Sequence, residues 1–257
     1  MRPHVAHLDT NAMPWTPGDM TGLFSKILSH DPKTGARTAL QRIDPNFGYK
    51  APSAAHFHHM DEEIFVLKGR FTFDGEVWLT AHSYCFHPSE TVHGFRSALA
   101  EESWFLSRVS QELDFNFVEK PRETTKPYSL KDAQGPRGVS VVPDPQKASW
   151  QDVKNTAGDV VMQRLVLSQH PQTGEGSMLV RFLPGWESPH GDHFHSVYEE
   201  AFVLDGALEA ADDTVYGVGC YSFKPPRTVQ SRLRSKRGAL CYINVGGPLD
   251  FVPAAKL

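Results

Sequence analysis

The sequence predicts an all-β chain folded as two tandem barrels that arose by internal duplication. Three observations predict it. The first is that the 257-residue chain repeats itself. From His56 onward the offset is constant at 137, pairing His56/His193, His58/His195, Glu62/Glu199, Gly69/Gly206, Tyr84/Tyr221, Phe86/Phe223, Pro88/Pro225 and Thr91/Thr228. Upstream, Ser29-His-Asp-Pro-Lys-Thr-Gly35, leading through Leu40 and Arg42 to Pro45, returns at an offset of 139 as Ser168-Gln-His-Pro-Gln-Thr-Gly174, leading through Leu179 and Arg181 to Pro184. A register held over so many positions marks two copies of one structural unit. The second observation is that short runs of β-branched and aromatic residues are punctuated by Gly, Asp-Gly or Pro, which is strand patterning. The third is that no segment carries a long, capped 3.6-residue period, and only Asp19–Leu23 and Ser129–Ala133 read as short helices.

Along the chain, Met1 to Asp19 contains Arg2, His4, His7, Asp9 and Pro14 and no apolar stretch resembling a signal peptide or a membrane span. That favours a cytoplasmic location. In the first copy, Glu63-Ile-Phe-Val-Leu67, Arg70-Phe-Thr-Phe73, Glu76-Val-Trp-Leu79 and Trp104-Phe-Leu106 read as strands. Asp74-Gly75, between two of them, is a tight-hairpin signal. From about Glu119 to Trp150 the chain is rich in Pro, Lys, Asp and Gln, with Pro121, Pro127, Pro136, Pro143 and Pro145, which suits an extended connector. The expected organisation is a first barrel over residues 1–120, a connector over 121–149 and a second barrel over 150–257.

Composition bounds the function. With 40% hydrophobic and 22% charged residues and a formal net charge of −4, the chain is an ordinary globular one with no global attraction for nucleic acid or an anionic membrane. Cys85, Cys220 and Cys241 are too few and too scattered for a disulfide framework, and none lies in a Cys-x-x-Cys pair, so reduced core thiols are expected. The chemistry must come from local clusters of side chains.

Two segments of the first copy supply one. His56-Phe-His58 puts two imidazoles on one face of a strand, because side chains two apart point the same way. Glu62 follows after a turn, and its neighbour Glu63 is the competing carboxylate, since both faces of this strand are apolar. Pro88-Ser-Glu-Thr-Val-His93 lies far enough downstream for a hairpin to bring His93 back to the pair. Three imidazoles and a carboxylate suit Fe(II), Mn, Ni, Cu or Zn. His59, His82 and His87 are expected at the surface or rim, with His190 a little better placed near His193. Phe57, Phe65, Phe86 and Phe95 are candidates for core or an apolar pocket.

These motifs resemble the two signatures of the cupin superfamily. His56-x-His58-x₃-Glu62-x₆-Gly69 matches the first, and Pro88-x₄-His93 matches the second, with Glu90 where a glycine is usual. Glu62-Glu-Ile-Phe-Val-Leu-Lys-Gly69 is similar to the group that holds zinc-binding anti-sigma-factor cupins and dioxygenases cleaving diketones or hydroxyketones. The resemblance implies a bicupin: two double-stranded β-helix, jelly-roll-like barrels, the first with a complete metal shell of His56, His58, Glu62 and His93. Such a superfamily hosts many activities, so the barrel does not settle the reaction.

In the second copy Gln230 stands where His93 would be. His193, His195 and Glu199 then make a two-histidine, one-carboxylate set with Gln230 as a weak extra ligand, or a site that stays empty. Arg232 takes the place of Phe95. Pointing inward it would bind a carboxylate or phosphate, and otherwise the run from Arg227 to Arg237 is a solvated basic edge strand.

Two classes of function follow. As an enzyme, the first barrel holds a divalent ion with two open positions for a small chelating substrate, Fe(II) being the first choice and dioxygenase chemistry the first expectation, with Glu62 and His93 central and Phe95 and Arg232 as substrate contacts. Zn, Mn or Ni would instead support a hydrolase, isomerase or lyase. As a sensor, a closed zinc site would move on binding a ligand or oxidant. The enzyme is favoured, because the residues before the first copy contain Pro3, Pro14 and Pro17 rather than a partner-binding helix. A small-molecule substrate is the expected partner, and pairing through exposed sheet edges makes a homodimer the expected assembly.

Overall fold

A computed structural model describes residues 1–18, 21–45, 55–94, 97–118 and 137–256. Among these the regular structure is all strand, apart from three-residue 3₁₀ turns. Of the two short helices expected, Ser129–Ala133 lies outside the described residues, as do Asp19 and Met20, and Leu23 opens a strand instead. No helix among the described residues is long and apolar enough to cross a membrane.

The chain divides into two compact units, one of residues 1–2 and 13–147 and one of residues 3–12 and 148–257. Strand β1 (Val5–Asp9) belongs to the second. The first unit contains β2 (Thr16–Pro17), β3 (Leu23–His30), β4 (Arg37–Ile43), β5 (His56–Phe57), β6 (Glu62–Thr72), β7 (Tyr84–His87), β8 (Ala98–Val109), β9 (Asn116–Phe117) and β10 (Ser140–Val142). Seven of these form one sheet in the order β10-β7-β6-β8-β4-β3-β2, and β5 pairs with β9.

The second unit contains β11 (Gln151–Lys154), β12 (Val160–Gln169), β13 (Gly176–Phe182), β14 (Trp186–Glu187), β15 (His193–Phe194), β16 (Glu199–Gly206), β17 (Leu208–Ala210), β18 (Val215–Tyr216), β19 (Cys220–Lys224), β20 (Leu233–Ser235), β21 (Ala239–Val245) and β22 (Val252–Pro253). Its seven-stranded sheet runs β1-β19-β16-β21-β13-β12-β11, beside a four-stranded sheet β14-β20-β17-β18 and the pair β15-β22. The two large sheets match strand for strand. In each, the edge strand comes from the segment that precedes the other copy: β10 pairs with β7, and β1 with β19.

Apolar alternation builds the cores. Ile43, Ile64, Val66, Phe71, Leu79, Cys85 and Phe105 cluster in the first unit, and Val180, Phe182, Trp186, Val203, Cys241, Ile243 and Val245 are among those that do so in the second. All three cysteines are buried and free. Burying such side chains is worth about 1.5–3 kcal/mol each for the larger aliphatic and aromatic ones.

The repeated glycine has a steric cause. Gly69 sits at φ +90°, where a Cβ would lie 2.3 Å from the Glu102 carbonyl oxygen, and Gly206 at φ +68°, where it would lie 2.1 Å from that of Gly238. At this point the pairing of β6 with β8 shifts register. Gly69→Ala is therefore expected to destabilise the protein by about 1–3 kcal/mol, read as a lowered thermal midpoint. An unchanged melt would contradict the steric account.

Candidate metal centre

The centre forms where β5 meets the turn after β7. His56 and His93 exchange backbone hydrogen bonds, each 2.9 Å, so the second motif is stitched to the first. The His56 and His93 ring centroids are 4.4 Å apart, and that of His58 lies 5.1 Å from each. Glu62 opens β6, and its Oε2 lies 3.8 Å from His58 Nε2 and 3.6 Å from His93 Nε2. All four side chains are buried.

The imidazoles are set for ligation by their other nitrogens. His58 Nδ1 donates to the Asp114 carbonyl, and His93 Nδ1 donates to the Thr91 carbonyl at 2.9 Å. That leaves each Nε2 lone pair facing Glu62, the tautomer a metal needs. Burial alone would push the Glu62 carboxyl up, but a hydrogen bond from His87 and the nearby imidazoles outweigh it and hold it well below the usual carboxylate range. Burial also pushes the His93 imidazole well below its usual range, against the pull of Glu62. An ionised carboxylate beside a His93 imidazole that resists protonation, with His56 and His58 alongside, is a donor set that fits a divalent cation.

Strand alternation separates the two adjacent glutamates. Glu62 faces the histidines, whereas Glu63 turns to the other side, where Arg108 and Arg137 each approach its Oε1 at 3.0 Å and the Tyr84 hydroxyl donates to its Oε2 at 2.9 Å. Glu63 is a structural counter-ion.

His87 corrects the sequence reading, which placed it at the surface or rim. It is 1% exposed, sits directly across from Glu62 in the β6–β7 pairing, and donates from Nδ1 to Glu62 Oε2 at 3.2 Å. Its ring stacks on His93 at 4.1 Å and meets the Phe73 ring edge-on. Ligand atoms of Glu62, His87 and His93 lie within 4.8 Å of one another, as do those of His56, His58 and His93. His87→Phe keeps the ring packing and removes the bond to Glu62. We expect it to weaken metal affinity about 10- to 100-fold in a chelator competition, and an unchanged affinity would show that Glu62 needs no such support. By contrast, the His59 side chain is 58% exposed and bonds Asp114.

A cavity of about 120 Å³ opens onto His56, His58, Glu62 and His93. Its walls are mainly apolar and include Ile43, Phe71, Phe73, Phe105 and Phe115. Of the phenylalanines singled out from sequence, Phe65 and Phe86 are core residues, Phe57 is half-buried and Phe95 lies outside the described residues.

The second unit assembles the same scaffold differently. His193 and Gln230 exchange backbone hydrogen bonds, and the His193 and His195 centroids are 5.1 Å apart. His193 Nδ1 donates to the Gly191 carbonyl at 2.7 Å, and His195 Nδ1 to that of Asp250. Glu199 Oε2 is 3.6 Å from His195 Nε2. Lys224, the counterpart of His87, intervenes. Its Nζ donates to Gln230 Oε1 at 2.7 Å and lies 3.9 Å from Glu199 Oε2, while Gln230 Nε2 donates to Glu199 Oε2 at 2.8 Å. Burial pushes the Glu199 carboxyl up, yet Lys224, His195 and Gln230 together hold it at about 2. Among the described residues, both groups of side chains close enough to hold a metal lie in the first unit.

Arg232 is 55% exposed and pairs with Glu187 at 2.7 Å. The basic run is not an edge strand, because β20 lies between β14 and β17, and Arg234 and Lys236 both pair with Glu209.

Solved structures share this fold. A candidate dioxygenase from Nostoc punctiforme aligns at 22% identity over 93% of this chain and 81% of its own, with a TM-score of 0.76. Salicylate 1,2-dioxygenase from Pseudaminobacter salicylatoxidans aligns at 12% identity over 86% and 76%, with a TM-score of 0.57. A candidate glyoxylate-induced protein from Pseudomonas aeruginosa aligns at 12% identity over 92% and 86%, with a TM-score of 0.56. Comparison with curated protein sequences finds no match. The model of the domain of unknown function DUF4437 matches residues 28–252, and the chain belongs to that family.

Proposed function

We propose that the chain is a metal-dependent dioxygenase of the bicupin kind, with one ion per chain, held in the first unit by His56, His58, Glu62 and His93. One observation carries the reading: the buried imidazoles of His58 and His93, fixed in tautomer, and an ionised carboxylate meet His56 at the wall of an apolar cavity. A closed structural site would not present its ligands to a cavity of about 120 Å³, which weighs against the sensor. The dioxygenase names borne by two similar structures support the choice of reaction within the enzyme class.

A redox-active ion such as Fe(II) would supply Lewis acidity and electron transfer with O₂, and Zn, Mn or Ni would supply Lewis acidity for hydrolytic, isomerising or lyase chemistry. The protein's part follows from its own residues. The phenylalanine walls exclude water and favour a compact, flat, apolar body carrying two oxygen donors, such as a diketone, hydroxyketone or hydroxyaromatic. His87 steadies Glu62 Oε2, and a carboxylate whose affinity for a proton is lowered this far serves as a ligand rather than as the base for the substrate.

The second unit is a structural partner whose cation is its own lysine. Gln230 and Glu199 already satisfy the Lys224 ammonium, so a metal would have to displace a buried, hydrogen-bonded charge.

The test is anaerobic Fe(II) reconstitution of untagged protein, followed by O₂ uptake with a panel of β-diketones, hydroxyketones and hydroxyaromatics. Substrate-dependent uptake is expected. Tightly held zinc with no uptake after reconstitution would overturn the dioxygenase.

A further inference from the structure

Gln41 is a polar side chain in an apolar cavity. Gln41 and Ile43 of β4, Phe105 and Ser107 of β8, and Glu62 and Ile64 of β6 line it from alternate positions, so these strands present one continuous face. The pairings place Gln41 opposite Phe105 and Phe105 opposite Val66, four positions along β6 from Glu62. On strand spacings the amide's backbone is therefore about 13 Å along the strands and about 10 Å across them from that of Glu62. Gln41 thus lines the cavity well away from Glu62 rather than beside it.

Its side-chain oxygen is shielded from solvent and has no hydrogen-bond partner among the described residues. Buried polar atoms are ordinarily bonded, and an exception in a residue that lines a cavity can be met by a group arriving from outside once the amide turns its oxygen toward that cavity. The duplication supplies an internal control. At the local offset of 139 the counterpart of Gln41 is Val180, which is buried in the apolar core of the second unit. The scaffold accepts an aliphatic residue here, and the amide stands in the copy that has the metal ligands and the cavity.

We propose that Gln41 is a specificity-determining residue whose side-chain oxygen accepts a hydrogen bond from a neutral hydroxyl at the end of the substrate opposite its chelating oxygens. The inference rests on reading the first unit as the substrate-binding one and deepens it: the substrate is a small, largely apolar molecule that is hydroxylated at its far end. A site built to bond a hydroxyl discriminates strongly against the analogue without one, because the acceptor is then left buried and unpaired.

The probes are phenol and toluene, matched in size and differing in the donor. Their binding to the full chain is measured by calorimetry or ligand-observed NMR, with Zn(II) bound and after chelator treatment, for the parent protein and for Gln41→Leu. Gln41→Met, which keeps the length of the side chain, replaces Gln41→Leu should that variant not fold. The expected result is that the substitution weakens phenol binding about tenfold in both metal states and leaves toluene binding unchanged. Equal phenol affinity in parent and variant would overturn the proposal. So would phenol binding that requires Zn(II), because the hydroxyl would then be read at the metal. Failure of the dioxygenase reading is distinguishable, since it appears as absent O₂ uptake in the Fe(II)-loaded protein while the phenol preference and its loss in Gln41→Leu persist.

Discussion

Replacing His93 with alanine is expected to empty the first unit of metal and abolish turnover, with affinity falling by well over about 100-fold, the upper range for loss of a mere supporting contact. His93 holds the centre together in two ways. Its Nε2 is one of the nitrogens facing Glu62, at 3.6 Å, and its backbone bonds to His56 keep the two motifs in register. The alanine variant retains that backbone pairing, so the loss isolates the imidazole. The measurement is metal per chain and O₂ uptake after identical reconstitution. Gln230→Ala is the control: it should leave both nearly intact, because Gln230 bonds Lys224 and Glu199 in the second unit. Retained metal and activity in His93→Ala would remove the basis of the site assignment.

The converse change should create a centre. Lys224→His combined with Gln230→His restores in the second unit the two residues by which its cluster departs from the first, His87 and His93. The imidazoles of His193 and His195 already donate from Nδ1 to carbonyls, leaving Nε2 for a metal. Removing the ammonium frees Glu199 from its resident counter-charge. Metal bound per chain should rise from about one to about two, the full complement for two closed ligand sets, as read by elemental analysis. Lys224→Met alone should not raise it, since the third imidazole is still missing. No gain in the double variant would mean that the backbone of the second unit, and not its side chains, bars the ion.

Much of this was legible in the sequence, for identifiable reasons. His56-Phe-His58 is readable because strand alternation places both rings together, and its return as His193-Phe-His195 removes coincidence. The choice between Glu62 and Glu63 was harder, because the strand is apolar on both faces and hides its own orientation. Only the pairing of β6 with β7 puts Glu62 against His87 and Glu63 against Tyr84. His87 itself was missed as a lone histidine in an apolar run. The available signal was the duplication, where His87 and His93 change together to Lys224 and Gln230. The short strands β1 and β10 carry no mark of the sheet they join, since any edge with free N–H and C=O groups would accept them. Nothing in the sequence marks Gln41, and only the cavity gives its side-chain amide a meaning.

On these grounds the first unit alone should build the metal centre. The decisive measurement is anomalous diffraction at the iron edge, from crystals of Fe(II)-reconstituted protein grown without oxygen. One strong peak per chain is expected, among His56, His58, Glu62 and His93, and none beside His193, His195 and Glu199. A peak in the second unit, or none in the first, would contradict it.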